Sequence, residues 1–244
     1  WLSKDVDDAI RRLPAAGFSA SVSLGRDRQT LDELELVLGA ARFRGAVESL
    51  TPAGERPSMM MKLDGDSLDV EGMAAFASLF VSDGGETRLS DRDVEFDISA
   101  GPVTVAGMSA ETLDTALRLK QGQLEIDRLS IGGFGGANIS ATGSIKNFAT
   151  APAGNLDAAI ISPDLGQLIE MFTQQFPDNA IAAEAARRLT LYPGLLEDGN
   201  VQLVLSSVAD PNGNSGVALT ANGEAGGTRF ELTASSPDAR TNLA

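Results

Sequence analysis

Carboxylates are the only side chains in this chain grouped closely enough to suggest chemistry. Asp64, Asp66, Asp69 and Glu71 have a spacing that could hold a divalent cation. On a strand, however, Asp64 and Asp66 share one face, and one-sided alternation already accounts for them as a solvated surface. Asp91, Asp93, Glu95 and Asp97 alternate with Arg92, Val94, Phe96 and Ile98. Paired carboxylates can hydrolyse glycosides, yet this alternation sends every acid to the wet side of a strand. The loop Asp210-Pro211-Asn212-Gly213-Asn214-Ser215-Gly216 offers oxygen ligands at alternate positions, as a Ca²⁺ loop does. Its sixth position is Ser215 where glycine is needed, and its twelfth is Ala221 where a bidentate Glu belongs. A hairpin turn explains these residues better. Gly132-Gly133-Phe134-Gly135-Gly136 resembles a phosphate cradle only in its glycines. No Lys-Ser or Lys-Thr follows and no helix opens after it, so a strand turn is expected.

What is missing narrows the chemistry further. The chain has no histidine and no cysteine. It therefore lacks the commonest general base and metal ligand, and every disulfide or thiolate route. No serine stands in a Gly-x-Ser-x-Gly elbow or a Ser-x-x-Lys pair, and the only lysines are Lys4, Lys62, Lys120 and Lys146. No catalytic residue, metal site or cofactor is expected. The 34 acidic and 19 basic residues leave a formal charge of -15. That balance argues against nucleic acid, which is held by Lys and Arg on phosphates, and against a basic patch on an anionic membrane.

The elements that carry these residues read mostly as strands. Leu113, Leu117 and Leu119 alternate into Lys120-Gln121-Gly122-Gln123, a turn. Leu124 and Ile126 follow, Asp127-Arg128 interrupts, and Leu129 with Ile131 resumes. Ile139, Ala141, Gly143 and Ile145 alternate beyond the next glycines. Period two bounded by glycine predicts antiparallel strands with one apolar face. An upstream copy runs through Phe18, Ala20, Val22 and Leu24, then Leu31, Leu34, Leu36 and Leu38. In it Asp32-Glu33-Leu34-Glu35-Leu36 lies over Asp127-Arg128-Leu129-Ser130-Ile131. The approximate repeat units are 18–80, 113–172 and a partial one, 201–235, within a single β-rich segment, 1–244. Helices are expected near residues 4–13, 70–80 and 164–190, the last broken at Phe176-Pro177. Hydrophobic residues make up 43%, ordinary for a folded chain, while aromatics are only 5%. No run approaches the ~18 apolar residues of a membrane helix. The abrupt start at Trp1 and the end in Ala-Arg-Thr-Asn-Leu-Ala suggest a piece of a longer protein.

The string Leu117-Arg118-Leu119-Lys120-Gln121-Gly122-Gln123-Leu124-Glu125-Ile126, followed by Leu129-Ser130-Ile131, resembles a segment of the AsmA-like family. Phe134-Gly135-Gly136-Ala137-Asn138-Ile139-Ser140-Ala141-Thr142-Gly143-Ser144-Ile145 fits the same pattern, as does Met61-Lys62-Leu63-Asp64-Gly65-Asp66-Ser67-Leu68-Asp69-Val70. The resemblance covers most of residues 18 to 235. It implies a mainly β fold with a few short helices, in which repeated antiparallel strands form a curved, folded-over sheet with an apolar inner face. It also implies a periplasmic segment of an envelope protein, tethered to the inner membrane by an N-terminal helix outside this chain. Its implied cargo is phospholipid, for outer-membrane assembly or lipid homeostasis.

The function expected is therefore non-enzymatic binding or conduction of phospholipid acyl chains along an apolar groove. Candidate groove residues are Leu117, Leu119, Leu124, Ile126, Leu129, Ile131, Leu34, Leu36 and Leu38. A groove of aliphatic side chains holds acyl chains by area and has few polar anchors. Met59, Met60 and Met61 suit an adaptable surface, although consecutive strand residues cannot all face it. A closed core would use the same side chains. The alternative from another class is a structural or protein-interaction scaffold of the envelope, pairing its sheet edges with other envelope proteins. A carboxylate glycosidase is the third reading, disfavoured by the outward acids.

Overall fold

The computed structural model describes residues 16–38, 41–69, 92–105, 108–146, 153–175, 187, 194–209 and 215–236. The described chain is mainly β. It runs through β1 (Ala16–Leu24), β2 (Arg28–Leu38), β3 (Ala41–Leu50), β4 (Ser58–Gly65), β5 (Leu68–Asp69), β6 (Asp93–Ala100), β7 (Val103–Val105), β8 (Met108–Ala110) and β9 (Thr112–Lys120). It continues with β10 (Gln123–Phe134), β11 (Ala137–Lys146), β12 (Ala153–Asp164), α1 (Leu165–Gln175), β13 (Glu197–Ala209), β14 (Ser215–Ala225) and β15 (Thr228–Ser236). Twelve strands are hydrogen-bonded in the order β1-β2-β3-β4-β6-β9-β10-β11-β12-β13-β14-β15, and β5-β7-β8 form a small second sheet. Two compact units result, Trp1–Asp127 and Arg128–Ala244, with the division inside β10.

The tight turns follow from local chemistry. Gln121-Gly122, Gly135-Gly136 and Gly226-Gly227 all have positive φ at both positions. That is the backbone of the two-residue type I′ hairpin, whose twist matches the flanking strands. The glycine run at 132–136 thus turns only at its last two residues, and β10 continues through Phe134. The mostly antiparallel pairing matches the expectation, with two departures among the described residues: β4 and β6 pair in parallel, and so do β5 and β7 in the small sheet. A parallel neighbour needs a connection that returns along the strand, and residues 66–92 provide it between β4 and β6. The helices expected at 4–13 and 70–80 lie outside the described residues. Of the one expected at 164–190, α1 is described, and beyond Gln175 only Arg187 is.

In the first unit the register collects one apolar face. Leu36 pairs with Phe43 and Phe43 with Gly65. Leu63 pairs with Ile98, Met61 with Phe96 and Met59 with Val94. Val94 then pairs with Leu119 and Phe96 with Leu117. Leu34, Leu36, Phe43, Leu63, Val94 and Leu119 are buried there, Val94 completely. Met60, on the opposite face, is exposed. That opposite face is charged and cross-linked by ion pairs: Arg28 with Glu48, Arg44 with Glu35, Arg56 with Asp93 and Lys120 with Glu95.

In the second unit the apolar rows run Ile160–Val201–Gly223–Phe230, Ala158–Leu203–Ala221–Leu232 and Leu156–Leu205–Leu219. Helix α1 packs on part of this face. Leu165, Val201, Ala221 and Ala225 form its buried core, with Ile160, Leu168, Leu196 and Leu203 around them. Asp164 caps the helix, its Oδ1 accepting the Gly166 N–H at 2.7 Å. The Leu165 N–H donates to the Leu196 carbonyl at 3.0 Å, tying the helix start to the strand that follows. The other face of this unit is polar and mostly uncharged, with rows such as Ser144–Asn155–Ser206–Ala218–Ser235.

Candidate functional site

The carboxylates read from the sequence fall where solvated strand faces put them. Asp93 pairs with Arg56 at 2.8 Å and Glu95 with Lys120 at 2.9 Å, while Val94 between them is fully buried. Asp91 lies outside the described residues. Asp64 and Asp66 are exposed. The Asp66 carboxylate accepts the Arg42 backbone N–H at 2.9 Å, and the Asp66 N–H donates to the Arg42 carbonyl at 3.0 Å. Asp66 therefore closes the open end of β3 against the segment after β4. The Asp69 side chain and Glu71 lie outside the described residues, as does most of the loop at 210–216. Ala209 and Ser215 nevertheless pair across that loop, which makes it a hairpin connection.

A cleft of about 360 Å³ opens at the ends of β2, β3 and β4. Phe43, Leu36 and Gly65 form its apolar wall, and Glu35, Arg42, Arg44, Asp64 and Asp66 its polar one. Arg44 already pairs with Glu35 at 3.3 Å, and Asp66 is engaged by the Arg42 backbone. Opposite charges are thus interleaved along this rim.

The strongest electrostatic group is the Arg118 fork. Arg118 reaches Glu125 at 2.8 Å and makes a bidentate contact with Asp127. The hydrogen bond from Arg118 holds the Asp127 carboxyl below the usual carboxylate range, partly offset by its desolvation. The same bond raises the guanidinium pKa further. The fork also fixes faces. Arg118, Glu125 and Asp127 must share the polar side, so Leu124 and Ile126 take the apolar side with Leu117 and Leu119.

The nine expected groove residues divide by exposure. Leu34, Leu36 and Leu119 are buried in the first unit. Leu117, Leu124 and Ile126 are half-buried there, and Leu129 and Ile131 are half-buried in the second unit. Leu38 ends β2, and its side chain lies outside the described residues. Between Ile126 and Leu129, Asp127 and Arg128 are both exposed, so the alternation resumes one residue out of phase. In β2 the corresponding pair, Asp32 and Glu33, is also exposed; there the register shifts between Leu31 and Leu34 and Glu33 takes φ 50°. An extra residue of this kind is a β-bulge, and it keeps leucines on one face across an interruption.

Open apolar surface lies in two places among the described residues: at Val22 and Leu24, 58% and 75% exposed at the β1 end of the first unit's apolar face, and on β13 to β15. Leu205 is 38% exposed, Phe230 37% and Leu232 56%, all on the face where α1 packs. The helix covers Val201, Ala221 and Ala225 and stops short of these three. They were not among the groove candidates. The alternation Val201, Leu203, Leu205 and Phe230, Leu232 was legible, but it says nothing about which residues a helix leaves uncovered. Such a surface can hold apolar matter by area.

Among the described residues, no helix is long and apolar enough to cross a membrane. Comparison with protein-family models, curated proteins and solved structures finds no match. The fold and site therefore define a class by architecture: a mainly β protein with one-sided sheets, apolar on one face and polar on the other.

Proposed function

We propose that this chain is a non-enzymatic segment of an AsmA-like envelope protein that binds phospholipid acyl chains. The carrying observation is the apolar face of the second unit, on which Leu205, Phe230 and Leu232 remain exposed beside a helix-covered core. Exposed large side chains contiguous on one sheet face are the usual mark of a binding surface. Each methylene moved from water onto that face contributes about 0.8 kcal/mol, so acyl chains are held by length, with weak choice of head group. The resemblance carried by Leu117–Ile131 and Phe134–Ile145 points the same way and supplies the setting: the periplasm, with an inner-membrane tether outside this chain, and a role in outer-membrane assembly or lipid homeostasis.

The test is native mass spectrometry of the chain extracted gently from cell envelopes, beside a Leu232→Asp variant. The wild type is expected to carry phospholipid. Leu232 is more than half exposed, so the variant is expected to fold and to lose the lipid. A wild type free of lipid, or a folded variant that keeps it, overturns the reading.

A further inference from the structure

We propose that β15 is a docking strand for a second copy of this chain, with two β15 strands pairing antiparallel about a two-fold axis through Phe230. Among the described residues, β15 and β1 are the two end strands of the sheet order. End strands present unpaired backbone groups, and proteins usually blunt them with a bulge, proline, lysine or a very short strand. β1 carries such a defence, a register shift between Ser19 and Ser21. β15 carries none. It pairs with β14 continuously from Thr228 to Ser236, without a shift and without proline or lysine. Its alternate residues Phe230 and Leu232 remain exposed.

The charges on β15 select the occupant and the register. With the axis at Phe230, Arg229 lies opposite Glu231 of the second copy, and symmetry makes this pair twice. Phe230 then meets its own copy, and Thr228 faces Leu232. Moving the axis one residue onward sets Glu231 against Glu231. Moving it to Leu232 sets Arg229 against Ser235 and Glu231 against Thr233, with no directly opposed ion pair. Arg229 already leans on Glu224 at 3.4 Å, yet 89% of its side chain is exposed. Its guanidinium can therefore take a second carboxylate on the same polar face. The apolar rows ending at Phe230 and Leu232 would continue into the second copy's rows.

Because the chain has no cysteine, a single introduced thiol reports the register. Phe230→Cys places two thiols across an antiparallel pair, where Cα atoms lie roughly 4.5–5.5 Å apart, within disulfide reach. It is expected to form a covalent dimer under mild oxidation. Leu232→Cys, at a position more exposed to oxidant than 230, would stand about 14 Å from its own copy in this register and is expected to stay unlinked. In sedimentation equilibrium, Arg229→Glu is expected to weaken the dimer about tenfold by opposing two like-charged pairs. The combined Arg229→Glu and Glu231→Arg variant is expected to restore it. A monomeric wild type, crosslinking at 232 as efficient as at 230, or failure of the charge swap to rescue overturns the proposal.

Discussion

Phe43 and Phe230 occupy equivalent positions in the two units and meet opposite fates. Each is the cross-strand partner of a glycine, Gly65 for Phe43 and Gly223 for Phe230. Each ring lies over that glycine: a Cβ on Gly65 would come within 2.5 Å of the Phe43 ring, and one on Gly223 within 3.2 Å of the Phe230 ring. Covering a bare strand glycine with a neighbouring aromatic restores apolar contact that the glycine cannot make. Yet Phe43 is 1% exposed and Phe230 37%. One local device thus serves a closed site at Phe43 and an open one at Phe230. The backs of the sheets differ as well: ion pairs cover the first, whereas Ser, Thr, Asn and Gln dominate the second. Local sequence chemistry sets the pairing; in the second unit, what α1 covers decides which part of the face is core.

The sharpest way to break this comparison is to truncate the two rings. Phe43→Ala is expected to cost about 4 kcal/mol, since a buried ring leaves a cavity that β strands cannot collapse to fill. Urea denaturation measures it, and a loss as small as that of an exposed residue would mean the Phe43 site is also open. Next in size is Leu165→Ala, which removes the centre of the α1 contact. It should cost about 3 kcal/mol and, by loosening the helix, raise hydrogen exchange at Val201 and Ala221. Phe230→Ala is expected to change stability by less than about 1 kcal/mol, because over a third of the ring is already in water. A Phe230 loss matching that of Phe43 would erase the distinction between the units.

The smallest effect is electrostatic. Arg118 lowers the Asp127 pKa in the folded chain. A depressed carboxylate stabilises above its unfolded pKa, near ~4, and loses that contribution as pH falls through the folded value. Asp127→Asn should therefore be slightly less stable than the wild type at pH 6 and equal to it in strong acid. The difference is small because the pair is exposed to water and screened. Thermal melts across that range check the sign, and a variant gap that widens in acid would contradict it.

Much of the fold was legible because the signals were local. Alternation at Leu117, Leu119, Leu124 and Ile126, with glycines between, specifies strands and turns without reference to anything distant. The pairing of Asp32-Glu33 with Asp127-Arg128 likewise marked an interruption that β2 realises as a bulge. The parallel pairing of β4 with β6 was not legible, because strand direction depends on the length and route of the connection rather than on either strand. Nor was the open face. Leu119 and Leu232 look alike as alternating leucines, yet one is 8% exposed and the other 56%. Leu232 stands on an end strand, outside the core that α1 covers, and its own alternation does not encode that placement.

Site-specific photo-crosslinking tests the central claim most directly, with the same photoreactive residue placed at Leu232, at Leu205 and, on the polar face of the first unit, at Met60. All three positions are solvent-exposed, so none should prevent folding. In envelopes containing labelled phospholipid, 232 and 205 should crosslink strongly to lipid and 60 should not. Equal labelling at all three, or none at 232 and 205, would contradict a lipid-holding face on β13 to β15.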